Sequence, residues 1–302
     1  MQRLVRIAAD KTAAFVIPYG KGQLECRLVR REPKPHQPKY LSAYLSSHSG
    51  CTMGCKQCHL TENGSTSFKH ATVEAYQTQM RMIMDHHRAL VKKGEVEEVE
   101  RVSVNLMARG EPLANKHIVN NYDKFYAMLK EEAGKADLKV NLSTIMPVAI
   151  RDHYLSNIFR DLPVEIYYSL YSLNPKFRSH WLPNAMPVDE ALGRLKRFQE
   201  NSYNLITFHW AFIKGHNDNV EEVKEIARVL RGYNFRGKFN LVRYNPPNKA
   251  TSEPCEEKLQ ELLEIMKGSF NYANDVSRCK IINRVGEGEK TMASCGMFFK
   301  DL

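Results

Sequence analysis

The chain has no second Cys-x-x-Cys pair, no long uninterrupted apolar run and no export signal. Each absence excludes something. A closed structural zinc site takes four ligands, usually as two pairs, and Cys55-Lys-Gln-Cys58 has no partner pair. His59 stands too close to Cys58 to complete such a site easily. Without an apolar stretch of spanning length, no transmembrane helix and no membrane partner are expected. The opening Met-Gln-Arg-Leu-Val-Arg lacks a signal-peptide core, so a cytoplasmic location is expected. Seven cysteines, an odd number, then read as reduced or metal-bound thiols rather than a disulfide framework. Internal repeats, low-complexity tracts and long flexible linkers are missing too. The 302 residues are read as one large unit or a barrel with a small appendage, and as a monomer.

What is present begins with Cys51, Cys55 and Cys58, in Ser-Gly-Cys-Thr-Met-Gly-Cys-Lys-Gln-Cys. Thiolates are soft ligands, and they hold iron–sulfur clusters. Three of them on one short loop can grip three corners of a four-iron cluster and leave the fourth iron open to a small molecule. This spacing resembles the loop of radical S-adenosylmethionine (SAM) enzymes, with Gln57 where those loops usually carry an aromatic residue. The implied cofactors are one 4Fe-4S cluster and SAM, with an external one-electron donor such as flavodoxin or ferredoxin.

Lys plus Arg number 44 against 34 Asp plus Glu, a net charge of +10. Such an excess attracts polyanions and suggests RNA or DNA as a partner, although basic proteins with no nucleic-acid partner are common. Arg27, Arg30, Arg31, Lys34 and Lys39 cluster just before the cysteine loop, although such a run also suits a solvated hairpin face.

After the loop, strand and helix alternate. Strands are expected at 40–46, 101–107, 138–143, 164–170, 205–213 and 238–242. Helices are expected near 71–93, 115–132, 148–159, 188–200, 218–232 and 255–268. Asp218 is read as the cap of the fifth helix and Gly232 as its stop. Six such units need parallel strands and right-handed crossovers. The predicted fold is α/β, a partial (β/α)6 barrel over residues 40–302, preceded at 1–39 by a β-hairpin extension and a proline-rich connector.

Polar residues fall at the strand ends, where a barrel keeps its active groups. Glu111, in Arg109-Gly110-Glu111-Pro112, offers a carboxylate to an ammonium group, or caps a helix. Ser143-Thr144 offer hydroxyls to a ribose, Ser169-Leu170-Tyr171 end the next strand, and the Asn245 amide suits an adenine edge or an Asx-turn.

With Ser46-Ser47-His48-Ser49-Gly50-Cys51, Arg178-Ser179, Leu182-Pro183, Lys214-Gly215-His216-Asn217-Asp218, Tyr244-Asn245-Pro246 and Ala293-Ser294-Cys295-Gly296, these motifs make an ordered set. The set resembles the radical SAM adenine carbon-2 RNA methyltransferases, the RlmN and Cfr group, from about Gly22 to Gly296. The resemblance implies methylation of an adenine in RNA (rRNA or tRNA) through an S-methylcysteine. Cys295 matches the methyl acceptor, and Glu25, on the hairpin, the glutamate that acts as base. The implied SAM contacts are Gly110, Glu111, Ser143, Ser169, Leu170, Tyr171 and Asn245.

The chain also departs from that pattern. Tyr44 stands where the family carries the cysteine that resolves the covalent product, a step that needs a thiolate. Cys26 is the expected substitute. Arg109 replaces a small or apolar residue, Tyr171 a histidine, and the family's N-terminal RNA-binding domain is expected to be missing. Two other readings stand beside the first. One is a radical SAM enzyme on the same scaffold with another substrate or reaction. The other is a zinc- or cluster-bearing nucleic-acid-binding module without catalysis.

Overall fold

Ten strands form one sheet in chain order, as seen in a computed structural model that describes residues 4–31, 37–202, 204–270, 279–284, 291, 292, 294 and 296–301. β1 (Leu4–Ile7), β2 (Ala13–Tyr19), β3 (Gly22–Val29) and β4 (Tyr40–Tyr44) pair antiparallel. From β4 the pairing is parallel through β5 (Arg101–Leu106), β6 (Asp137–Thr144), β7 (Glu165–Tyr168), β8 (Ile206–Trp210) and β9 (Gly237–Val242) to β10 (Lys280–Ile282). The six expected barrel strands are β4 to β9, and the expected hairpin is β2–β3. The boundary expected at residue 39 falls inside this continuous sheet, and the hairpin's Ala13, Phe15 and Leu28 share the main apolar core.

Helices cover the outer face: α1 (His59–Glu62), α2 (Val73–Lys92), α3 (Lys116–Ala133), α4 (Leu155–Phe159), α5 (Pro175–Trp181), α6 (Val188–Glu200), α7 (Val220–Tyr233) and α8 (Glu256–Lys267). Thr72 caps α2 by accepting from Ala75 N, and Asn115 caps α3 by accepting from His117 N. The expected helix at 148–159 is instead a 3-10 turn at Val148–Ile150 followed by α4. The Arg194 guanidinium bonds the carbonyls of Arg151 and His153, acceptors that a continuous helix would use itself. The cap of α7 is Asn219, not Asp218, whose carboxylate accepts from Gly215 N. Gly232 lies inside α7, which ends on Asn234 at φ 50°, a left-handed position asparagine tolerates.

The sheet has two unlike faces. Strand residues alternate sides. One set, including Leu41, Val102, Val104, Val140, Leu142, Ile166, Phe208, Phe239 and Leu241, is buried under the helices. Burial of each such side chain contributes about 1.5–3 kcal/mol. The other set, Ser42, Tyr44, Ser103, Asn105, Lys139, Asn141, Tyr167, His209, Lys238 and Asn240, is polar and lines the concave interior. A closed eight-stranded barrel fills that space with apolar layers.

Candidate functional site

At the C-terminal ends of the parallel strands lies a cavity of about 160 Å³. Cys51, Cys55 and Cys58 line one side, and Gly110, Glu111, Ser143, Ser169, Tyr171 and Asn245 contribute from the strand ends. Leu170, expected among the SAM contacts, does not line it. Its side chain is fully buried in the apolar core, and only its carbonyl works locally, accepting from Arg178 Nη1 at 2.5 Å.

The cysteine loop is braced from three directions. Cys51 N donates to Ser65 O at 2.9 Å, and a Cβ on Gly50 would lie 2.4 Å from Ser67 O, so the chain passes there only as glycine. Lys56 N donates to Trp181 O at 3.1 Å and Asn184 Nδ2 to Met53 O at 3.2 Å, which gives the segment around α5 its purpose. His59 N donates to Gly296 O at 3.3 Å, so the loop is tied to the residue after Cys295. Cys295 itself lies outside the described residues.

Burial dominates the charge behaviour of the loop. It pushes the Cys51 thiol up to about 12, Cys55 well above its ordinary value and Cys58 up as well, and in Cys51 and Cys55 the neighbouring thiols push the same way. Crowded buried thiols become thiolates when a metal takes them, releasing their protons. Among the described residues no three His, Cys, Asp or Glu side chains converge as ligands of one ion. A four-iron cluster asks for a different arrangement, because each thiolate holds a different iron. Three thiols on one loop, facing one cavity, fit that requirement.

Glu111 is buried opposite them. Its Oε1 accepts from Leu113 N at 3.0 Å, so it caps the short turn Pro112–Ala114, and its Oε2 accepts from Ile145 N at 3.1 Å. Burial raises its carboxyl to about 7, against these hydrogen bonds. A cationic ligand in the cavity would favour the carboxylate. Gly110, at φ +93°, lets the chain turn here: a Cβ would stand 2.5 Å from His48 Nδ1. Tyr171, at φ 62°, is held by Asn217, whose Nδ2 donates to its carbonyl at 3.1 Å. Asn245 is engaged on both ends of its amide, accepting from Arg284 Nε at 2.7 Å and donating to Arg243 O at 3.3 Å.

Glu25 is buried in an ionic network. Its Oε2 accepts from Arg27 Nη2 at 2.9 Å and its Oε1 from Phe299 N at 3.1 Å. Arg109 Nε also lies 2.9 Å from that Oε1, at an angle that makes an ion pair rather than a hydrogen bond. Arg109 further donates to Ser49 O at 2.7 Å, Phe299 O at 3.1 Å and Asp301 Oδ1 at 2.6 Å. Arg27 donates to Met297 O at 2.7 Å. Hairpin, cysteine loop and C-terminal segment therefore meet on two guanidinium groups. The sequence marks Arg109 as a departure without indicating this role, and Arg27, expected in a basic cluster on a solvated hairpin face, is instead buried on the same strand face as Glu25 and paired with it.

Cys26 does not stand where a resolving thiol would. It lies in the apolar core, on the face of β3 opposite Glu25 and Arg27, because successive strand residues alternate sides. Tyr44, paired in register with Arg27, does face the barrel interior and lines a narrow space of about 50 Å³ together with Ser294 and Asn245.

No protein-family profile matches the chain. Curated relatives do. A protein of Dictyoglomus turgidum named as a probable dual-specificity RNA methyltransferase RlmN is 28% identical over 300 residues, covering 97% of this chain and 78% of that one. A Synechocystis protein of the same name is 27% identical over 295 residues, 96% of this chain and 74% of the relative. The Helicobacter hepaticus RlmN is 26% identical over 209 residues, and the match spans about half (53%) of its length. Among solved structures, a radical SAM methyltransferase from Sphaerobacter thermophilus superposes with a TM-score of 0.73 at 20% identity, covering 98% of this chain and 80% of that one. The fold is thus that of a radical SAM methyltransferase, and the sequence likeness is to the RNA methyltransferases that the motifs resemble.

Proposed function

We propose that this chain is a radical SAM enzyme that methylates an adenine base in RNA, with Cys295 as the intermediate methyl carrier. One observation carries the reading: three cysteines and six strand-end SAM-contact candidates line the same cavity. Cys51, Cys55 and Cys58 would hold the cluster, which when bound supplies one-electron cleavage of SAM and so a carbon radical. Glu111 would take the SAM ammonium group, its oxygens already aimed by the amides of Leu113 and Ile145. Gly110 leaves room for close approach, and the Ser143 and Ser169 hydroxyls suit a ribose. Asn245 would present an amide whose orientation Arg284 fixes.

Cys295 is the thiol the reading needs beside the cavity, and its neighbour Gly296 lines it. Sulfur accepts a methyl group as a nucleophile and stabilises an adjacent carbon radical. Glu25 enters as a positioning residue. A proton acceptor there would compete with two guanidinium groups already on its oxygens, whereas the same contacts fix the segment that follows Cys295. The net charge of +10 suits an RNA partner, and reduction calls for an external donor such as flavodoxin or ferredoxin. Among the described residues no helix is long and apolar enough to cross a membrane.

The test is anaerobic incubation of reduced, cluster-loaded protein with SAM and total RNA. Digested RNA should contain newly formed 2-methyladenosine, alongside 5′-deoxyadenosine. Vigorous 5′-deoxyadenosine formation with no methylated adenosine in any RNA fraction would refute the assigned substrate.

A further inference from the structure

The concave face of the sheet continues away from the strand ends into a second cavity of about 540 Å³. It is distinct from the one described above, and among the described residues the two share only Met107. Its walls are polar on every strand from β4 to β9. Asn141, Asn240 and His209 line it, each at least nine-tenths buried, and each has a side-chain atom with no hydrogen-bond partner: Asn141 Oδ1, Asn240 Oδ1 and His209 Nδ1. Such atoms are costly to bury unpaired and are normally satisfied.

The charged side chains that line this cavity among the described residues are cations. Arg31, Arg101, Lys139, Lys238 and Lys280 line it, and among the described residues no Asp or Glu does. Glu165 stands on the same face of β7 as Tyr167, in register with Asn141, and its buried carboxylate pairs with Lys139 and Lys238, so a phosphate at the cavity would meet Arg31 and Arg101. Aromatic surface is also present. The Tyr167 and His209 rings meet edge to face at 5.4 Å, and Lys238 Nζ sits 5.9 Å from the Tyr167 centroid.

We infer that this cavity is a second ligand site, for a phosphorylated nucleoside. The cations match a phosphate, the asparagine amides match the donor and acceptor edge of a base, and the rings offer it a face. The volume is of the order a drug-sized ligand occupies. The inference does not depend on the proposed methyl transfer, and it can be tested without the cluster. The narrow space lined by Tyr44 and His209 lies between the two cavities, sharing Met107 with both and Asn245 with the upper one. The ligand could be a free mononucleotide or one unit of an RNA strand, and both carry this chemistry.

Calorimetric titration of the full chain with adenosine 5′-monophosphate, ribose 5-phosphate and a short adenine oligoribonucleotide tests it. Saturable binding of the mononucleotide is expected, unaffected by excess SAM, with ribose 5-phosphate about tenfold or more weaker. Asn240→Leu should weaken mononucleotide binding about tenfold or more without lowering the melting temperature, since it removes an unpaired buried amide oxygen. Arg101→Ala, at the cavity rim, should weaken it too. Tighter binding of the oligonucleotide would mark RNA as the source, and equal or weaker binding a free nucleotide. The inference is overturned by no saturable binding of any nucleotide, by displacement with SAM, by ribose 5-phosphate binding as well as the mononucleotide, or by unchanged affinity in Asn240→Leu.

Discussion

Arg109 Nε lies 2.9 Å from Glu25 Oε1, with both side chains fully buried beneath the cysteine loop. The pair joins the hairpin to the end of β5 and, through Phe299 and Asp301, to the C-terminal segment. Removing one partner of a buried ion pair leaves an uncompensated charge, at a cost of about 3–5 kcal/mol. Arg109→Met should therefore destabilise the protein by that amount in chemical denaturation. Glu25→Gln, which keeps the shape, should lower stability and methyl transfer together. A Glu25→Gln protein as stable as the parent but unable to form product would instead make Glu25 the proton acceptor.

A second ionic centre makes stability depend on acid pH. Burial alone would raise the Glu165 carboxyl, but Lys238 and Lys139, 2.7 and 2.6 Å from its oxygens, hold it down to about 2. The folded state thus binds the proton more weakly than the unfolded chain. The stabilisation, about 3 kcal/mol, is complete above the ordinary carboxylate value near 4.5 and is lost as pH falls toward 2. Glu165→Gln should be markedly less stable than the parent at pH near 7, and the difference should shrink steadily below pH of about 4. A difference that stays constant through that window would exclude this role.

At the upper cavity, Glu111→Ala should weaken SAM binding about 10- to 150-fold, the equivalent of roughly 1.5–3 kcal/mol for hydrogen bonds to a charged group. Gly110→Ala should do comparable damage by shape, since its Cβ would lie 2.6 Å from Ser47 Oγ and its φ of +93° strains any side chain. Equilibrium dialysis with labelled SAM measures both. Parent-like affinity in Glu111→Ala would remove the strand-end carboxylate from the SAM site.

Release of product raises a sharper question. Among the described cysteines, Cys26 and Cys279 sit in the core, Cys255 is exposed at the start of α8, and the other three line the cluster cavity. Tyr44 occupies the barrel-facing position beside Arg27. We expect the parent to release product slowly, so that a fraction of the RNA is caught covalently on Cys295 while the rest leaves as methylated RNA, and Tyr44→Cys to speed release through an internal disulfide. Gel shifts under denaturing conditions read both. Clean multiple turnover by the parent without added thiol would show that another residue performs the release.

The barrel was legible because periodicity of two and of 3.6 alternates cleanly from residue 40 to 268. The cysteine loop was legible by spacing, and the strand-end motifs by their position after apolar runs. Boundaries failed where tertiary bonds override local preference, as Arg194 does at Arg151 and His153. Among the missed elements, α5 carried a signal in Asn174-Pro175, a cap followed by proline at the first helical position. The polar interior was also written in the chain, in Ser103 and Asn105 between Val102, Val104 and Leu106, and in Lys238 and Asn240 beside Phe239 and Leu241. The alternation that marks a strand there also marks one face of it as polar. Alternation along β3 supplies one partner of Glu25, Arg27; what no pattern supplies is Arg109 and Phe299, which are remote in sequence.

The methyl carrier is the central claim, and mass spectrometry of the Cys295 peptide tests it most directly. Protein incubated anaerobically with reductant and SAM labelled in its methyl group should carry one labelled methyl on Cys295. Added RNA should then receive that label in 2-methyladenosine, and Cys295→Ser should form no product while 5′-deoxyadenosine still appears. Labelled methyladenosine formed by the Cys295→Ser protein, or a Cys295 that never takes up label while SAM is consumed, would contradict the account.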